Sequence, residues 1–174
     1  MLELATLGLL QREPLHGYRL KQQLELFMSG CISANYGAIY PLLRRLEERG
    51  AISVLAEEEG EAGSIRKIYS ISDKGRQLWM QQMLEHPHES WVNARSRFTI
   101  KFFFFSHIEP TIRIKLVEHR LMVCRLRLES QQAESLPADP YQIAVWQRCL
   151  VVIQDEIQWL SEQLAEETKR NNSS

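Results

Sequence analysis

The chain has 174 residues, 44% of them hydrophobic and 25% charged, which suits one large or two small folded domains and excludes wholesale disorder. Its longest apolar runs, such as Ile100 to Phe105 interrupted by Lys101, are too short to span a bilayer, so no membrane partner is expected. The balance of 21 Lys and Arg against 22 Asp and Glu, with 10 against 11 in residues 1–86, leaves neither half basic, so a nucleic-acid role would have to rest on local placement of charge.

In chain order, Leu2 to Arg12 is dense enough in apolar residues for a short buried helix, ended by Pro14. No basic stretch precedes Leu2 and no small-residue cleavage site follows, so a secretory signal is not expected and a cytoplasmic location is. Leu20, Leu24, Phe27 and Met28 keep the spacing of a second amphipathic helix, closed by Gly30. The third spans Asn35 to Gly50, with Ile39, Leu42, Leu43 and Leu46 on one face. Ser33 is its expected N-cap. Tyr40 and Arg44 fall on the opposite face. Pro41 argues against this helix, because an interior proline costs about 3 kcal/mol, yet the apolar period continues through it.

Ile52, Val54 and Ala56, and then Ile65 to Ile71, predict two strands joined by a loop containing Gly60 and Gly63. Ser72-Asp73-Lys74-Gly75 opens a further helix with Leu78, Trp79 and Met83 available for burial. Three helices and then a hairpin is the order of a winged helix-turn-helix, the second and third helices forming the helix-turn-helix and the hairpin the wing. The fold class is therefore mainly α: residues 1–86 a winged helix-turn-helix with a two-stranded wing, residues 87–168 a helical dimerisation and possible effector domain, and 169–174 a polar tail.

After Pro87, Trp91 to Phe105 reads as a helix ending in four consecutive phenylalanines destined for the core. From Pro110, Ile114, Val117, Leu121, Cys124 and Leu128 alternate steps of three and four. After the loop at Leu136 to Pro140, Ile143, Trp146, Leu150, Ile153, Ile157, Leu160 and Leu164 repeat that alternation over three heptads. Such a seam needs another helix. The preceding helix covers part of it, and a second subunit is the natural cover for the rest, a self-contained hairpin being the alternative. Thr168 to Ser174 is polar and expected to fray.

Chemistry-bearing constellations are few. Cys31, Cys124 and Cys149 form no CxxC and read as reduced structural thiols. His86 and His88 have no further ligands at metal spacing. With no glycine-rich phosphate loop and no poised nucleophile, neither a cofactor nor a catalytic residue is expected. The DNA reading has more to work with. Arg44 can pair with guanine or clamp a phosphate, and Tyr40 can donate to a phosphate or pack on a thymine methyl. Asn35 and Tyr36 sit near a helix N-terminus that favours anions. Tyr18 and Lys21 lie on the helix that crosses the DNA backbone, and Arg66 and Lys67 of the wing strand can reach phosphates. The plainer alternative is a solvated face of ordinary charge.

The blocks Leu7-Gly8-Leu9-Leu10, His16-Gly17-Tyr18-Arg19-Leu20, Gly37 to Glu47, Gly50-Ala51-Ile52, Arg66 to Ser72 and Lys74-Gly75-Arg76 resemble the PadR family of bacterial transcriptional regulators. Phe98 to Phe104 and Trp159-Leu160 carry a weaker similarity to the helical C-terminal domain of its longer members. The resemblance implies a homodimer on double-stranded operator DNA, usually a repressor, released by a small effector that in some members is a phenolic acid. A small aromatic or other hydrophobic effector is thus an expected partner. The chain departs from the family at the wing tip, where Glu57-Glu58-Glu59-Gly60-Glu61 stands in place of basic residues. Carboxylates beside phosphates weaken binding, so this tip is expected to point away from DNA or contribute little. Together with the near-neutral charge it also keeps open a protein-interaction adaptor that retains the shape without reading DNA.

Overall fold

The computed structural model describes residues 1–28, 36–59, 65–134 and 139–172, the side chains of residues 27, 28, 36, 58, 59 and 65 excepted. The chain forms two compact units, residues 1–107 and residues 108–174.

The first unit is built around α1 (Leu2–Leu10), of which seven residues from Leu4 to Leu10 are buried. A helix that is apolar all round belongs inside, and here it sits against α4 (Asp73–Leu84). Gly8 makes room for Phe104: a Cβ there would lie 2.6 Å from that ring. Phe104 also meets Trp79 of α4 edge-on, with centroids 6.3 Å apart, a favoured aromatic geometry. α5 (Trp91–Phe103) and the short 3-10 helix Phe105–His107 complete this cluster. The division between units thus falls after His107, where the sequence places a joint near His86. The phenylalanine run is only partly core: Phe104 and Phe105 are buried, but Phe103 is 41% exposed, because consecutive residues cannot all face one way on a helix.

α2 (Gly17–Met28) buries Leu20 and Leu24, and α3 (Ile39–Glu48) buries Ile39, Leu42, Leu43 and Leu46. α3 begins later than its apolar period suggests. Tyr36–Ala38 is a 3-10 turn and the N-cap is Ala38, with no side-chain cap bond. Ser33 therefore does not cap α3, and it lies outside the described residues. The late start also answers the objection from Pro41. It falls in the first turn, where backbone N–H groups have no intrahelical acceptor, so its missing donor costs little.

The C-terminus of α3 is closed by Gly50 at φ 68°. Its N–H donates to the Glu47 carbonyl at 2.9 Å, and the Ala51 N–H donates to that of Leu46 at 2.8 Å, a Schellman arrangement. The Ser72 hydroxyl donates to the Gly50 carbonyl and accepts from the Gly75 N–H as N-cap of α4. A Cβ on Gly75 would lie 2.0 Å from the Ala51 carbonyl oxygen, so only glycine lets α4 start this close.

The sheet has three strands rather than the two of the predicted wing, in the order β1 (Leu15–His16), β3 (Ile65–Ile71), β2 (Ile52–Glu59), all antiparallel. The β2–β3 ladder shifts register between Val54 and Ala56, and this bulge ends the alternation that Ile52, Val54 and Ala56 began.

The second unit is a helical hairpin of α6 (Pro110–Ala133) and α7 (Pro140–Asn172). α7 starts with the Asp139 carboxylate accepting from the N–H groups of Tyr141 and Gln142, a side-chain N-cap ahead of Pro140. The helices run antiparallel, since Arg113 pairs with Glu167 and Arg120 with Glu156. Val117, Leu121, Cys124, Ile153 and Leu160 are buried. Ile143, Trp146, Leu150, Ile157 and Leu164 are only half-buried. α7 continues through Asn172 where fraying was expected. Arg170 pairs there with Glu166 and Glu167, and cations near a helix C-terminus suit its dipole.

Candidate nucleic-acid interface

Burial of Ile39, Leu42, Leu43 and Leu46 turns the other face of α3 outward. Tyr40 is 54% exposed and the Arg44 side chain 82%. Beside it, α2 presents Tyr18, 66% exposed, with Arg19 and Lys21. β1 sets this proximity. Leu15 pairs with Tyr69 and His16 with Ile68, which anchors the start of α2 to the wing strand. Gly17 then lets α2 and α3 approach, since a Cβ there would meet the Tyr40 ring at 3.0 Å and Leu43 at 3.4 Å.

The result is a cleft of about 740 Å³ lined by His16, Gly17, Tyr18, Arg19, Tyr40, Glu57, Arg66, Lys67 and Tyr69. Three cations and three phenols around one concavity can receive an anionic backbone and stack or donate beside it. Tyr69 is buried, and burial, reinforced by the Glu47 carboxylate, raises its pKa above the usual phenol value. It therefore stays a protonated donor.

Three cations of this face, Arg44, Lys67 and Lys21, are engaged by carboxylates. The Arg44 Nε donates to the Glu48 carboxylate at 3.0 Å, Lys67 Nζ lies 3.8 Å from Glu47, and Lys21 Nζ lies 3.6 Å from Glu25. In the β2–β3 ladder Glu57 is opposite Lys67 and Glu58 opposite Arg66.

Of the residues singled out from sequence, Tyr18, Tyr40, Arg66 and Lys67 meet in the cleft. Arg44 stands on the same face of α3, one turn beyond Tyr40. Lys21 is on α2, one turn from Gly17. Tyr36 opens the 3-10 turn, while Ser33 and Asn35 lie outside the described residues. The sequence does not single out Arg19 or Glu57 as lining residues; it puts Tyr69 on the strand face of Lys67 but favours the core for it, and the structure makes it both buried and part of the lining. A two-residue strand has no periodicity to reveal it; the punctuation by Pro14 and Gly17 around Leu15-His16 was the only local sign. At the acidic tip, Glu57 faces into the cleft, and Gly60 and Glu61 lie outside the described residues.

Three helices, the third with one face free, and an antiparallel wing beside it define a winged helix-turn-helix protein. Residues 6–81, 76 of the 174 residues, match the transcriptional regulator PadR-like family. It is 32% identical over 96 residues to the transcriptional regulator YqjI of Escherichia coli (strain K12), a match covering 54% of this chain and 44% of that protein's length. It is 26% identical over 133 residues to the negative transcriptional regulator PadR of Bacillus subtilis (strain 168), covering 76% and 71%. The crystal structure of Bacillus subtilis PadR in complex with operator DNA is similar with a TM-score of 0.47 and 23% identity, over 95% of this chain and 98% of that one. Among the described residues, no helix is long and apolar enough to cross a membrane and no group of His, Cys, Asp and Glu could hold a metal ion.

Proposed function

We propose that the protein is a cytoplasmic homodimer that binds operator DNA sequence-specifically, represses transcription, and is released by a small aromatic or other hydrophobic effector. In this reading residues 1–86 bind DNA and the helices after Pro110 dimerise through Ile143, Trp146, Leu150, Ile153, Ile157, Leu160 and Leu164. The observation that carries it is the outward face of α3. Its apolar side is wholly buried while Tyr40 and Arg44 stand exposed to solvent beside the cleft of Tyr18, Arg66 and Lys67. Each subunit would place one such face on a half-site in the major groove. The name of the Bacillus subtilis relative, a negative regulator, supports repression.

Selection of bound genomic fragments, followed by titration of the recovered fragment at several salt concentrations, tests the proposal. Nanomolar to micromolar binding that weakens as salt rises is expected. No enriched fragment, or an affinity indifferent to salt, would sink it. The effector arm is tested by adding phenolic acids and other small aromatics to the complex. Release by at least one supports that arm, and retention of DNA against all of them removes it.

A protein-interaction adaptor is the second reading, favoured by the carboxylates that already engage Arg44 and Lys67. Arg44→Ala separates the two. It weakens DNA binding in the first case and leaves a protein complex intact in the second.

A further inference from the structure

On the exposed face of α3, Arg44 and Glu48 are one turn apart and joined by a single contact, from the guanidinium Nε to the carboxylate. That choice of atom matters. Arginine has five N–H donors in a rigid plane, and two edges, the Nη pair or Nε with one Nη, can each match O6 and N7 of guanine. Glu48 takes the Nε donor, which limits rotation of the plane and leaves the Nη pair available. Its charge has a second effect. A carboxylate about 6 Å from a phosphate repels it by about threefold in binding, even at the dielectric of water. A base edge carries no such charge and is spared most of that repulsion.

We propose that Glu48 is a positioning and specificity-determining residue: it holds Arg44 for a guanine edge and disfavours the use of Arg44 as a mere phosphate clamp. The pairing of Lys67 with Glu47 adds a second carboxylate that any docked phosphate must meet. The charge of the face then follows from its task. Non-specific DNA binding is almost wholly electrostatic, so cations already paired keep it weak, whereas a correct site adds base-edge bonds that do not depend on net charge. A regulator with no net basic charge can be selective on this basis. The inference rests on the reading of α3 as the DNA-contacting helix.

The test uses the full chain, the fragment recovered by genomic selection, and a shuffled duplex of the same length and composition. Glu48→Gln removes the charge but keeps an acceptor for Nε; Glu48→Ala removes both. Glu48→Gln is expected to bind the shuffled duplex about threefold more tightly and the selected fragment nearly as the wild type does, so that their ratio falls about threefold. Glu48→Ala is expected to gain similarly on the shuffled duplex but to lose on the selected fragment, so that the ratio falls about tenfold. In an Arg44→Ala background Glu48→Ala is expected to have no further effect on the ratio, because the orienting role acts through Arg44. A ratio unchanged by Glu48→Ala, or lowered equally with and without Arg44, overturns the proposal. Wild-type chain that ignores both duplexes, or an Arg44→Ala variant with an unchanged ratio, overturns the underlying reading of the face instead. Both side chains are exposed, and unchanged thermal midpoints confirm that the variants fold.

Discussion

In residues 1–107 the ion pair on α3 lies in solvent, with the Arg44 and Glu48 side chains 82% and 61% exposed. In residues 108–174 Arg120 and Glu156 are each 5% exposed and lie 2.7 Å apart. The chemical groups are the same and the consequences are opposite. An exposed pair contributes little to stability, so it can open and exchange its carboxylate for a DNA acceptor. A buried pair has given up hydration on both sides and tolerates loss of neither partner. Charge in the first unit is therefore available for binding, whereas in the second it fixes how α6 sits against α7. Apolar surface differs too. α6 and α7 leave Met122, Leu126, Tyr141, Val145 and Val151 at least half exposed, as expected of a two-helix layer that another surface completes.

The sharpest way to break this contrast is Glu156→Ala. It removes the carboxylate paired with a buried guanidinium and is expected to destabilise the second unit by about 3–5 kcal/mol in chemical unfolding. Replacing both partners, as Arg120→Met with Glu156→Leu, is expected to be neutral or stabilising. If the single and double variants lose equally, the pair is not an isolated buried pair. Next in size, Trp146→Ala truncates a half-buried anchor of the α7 seam. Sedimentation is expected to show dimerisation weakened by about thirtyfold, roughly 2 kcal/mol, with little change in monomer stability. An unchanged oligomeric state would assign Trp146 to the hairpin alone.

Arg44→Ala is expected to weaken binding of the selected fragment about tenfold and to relax the preference at one base position. Lys67→Ala is expected to weaken all duplexes alike and to make the salt slope shallower by about 1. If the two variants behave identically, the division between base contact and phosphate contact fails.

A pH-dependent effect concerns Lys101, a buried cation in the first unit. It is 3% exposed, and its ammonium donates to the Glu85 carbonyl. Burial, with help from Arg97 and against Glu89 and Glu85, lowers its pKa from 10.5 to about 8. The folded chain therefore releases this proton earlier than the unfolded chain, and stability should rise as pH climbs from about 8 toward 10.5. Thermal melts across that window should show the rise in wild type and not in Lys101→Met.

The sequence reveals some of these features much better than others. The apolar faces of α3 and α7 are legible because Ile39, Leu42, Leu43 and Leu46, and the seam from Ile143 to Leu164, obey a helical period. The N-cap Ser72 is legible from its neighbours. Pro41 misleads, because whether a proline lies in the first turn depends on where the helix starts, and the 3-10 turn of Tyr36–Ala38 decides that. In the candidate site, Tyr40, Arg44, Arg66 and Lys67 follow from pattern. Arg19 joins the wing residues through β1, whose pairing with β3 links residues more than fifty positions apart, and Glu57 joins through the β2–β3 ladder, where it lies opposite Lys67.

The amino-acid sequence alone determined the order of helices and wing, which faces are apolar, and the absence of a basic surplus. These depend on local periodicity and on counting charges. Tertiary structure decided which carboxylate meets which cation. It set Glu47 beside Lys67 and Glu156 on Arg120, because partner choice between elements follows from packing distance and burial, whereas Arg44 and Glu48 meet through the helical period alone. Those same two quantities separate a pair that can open to DNA from one that must stay closed.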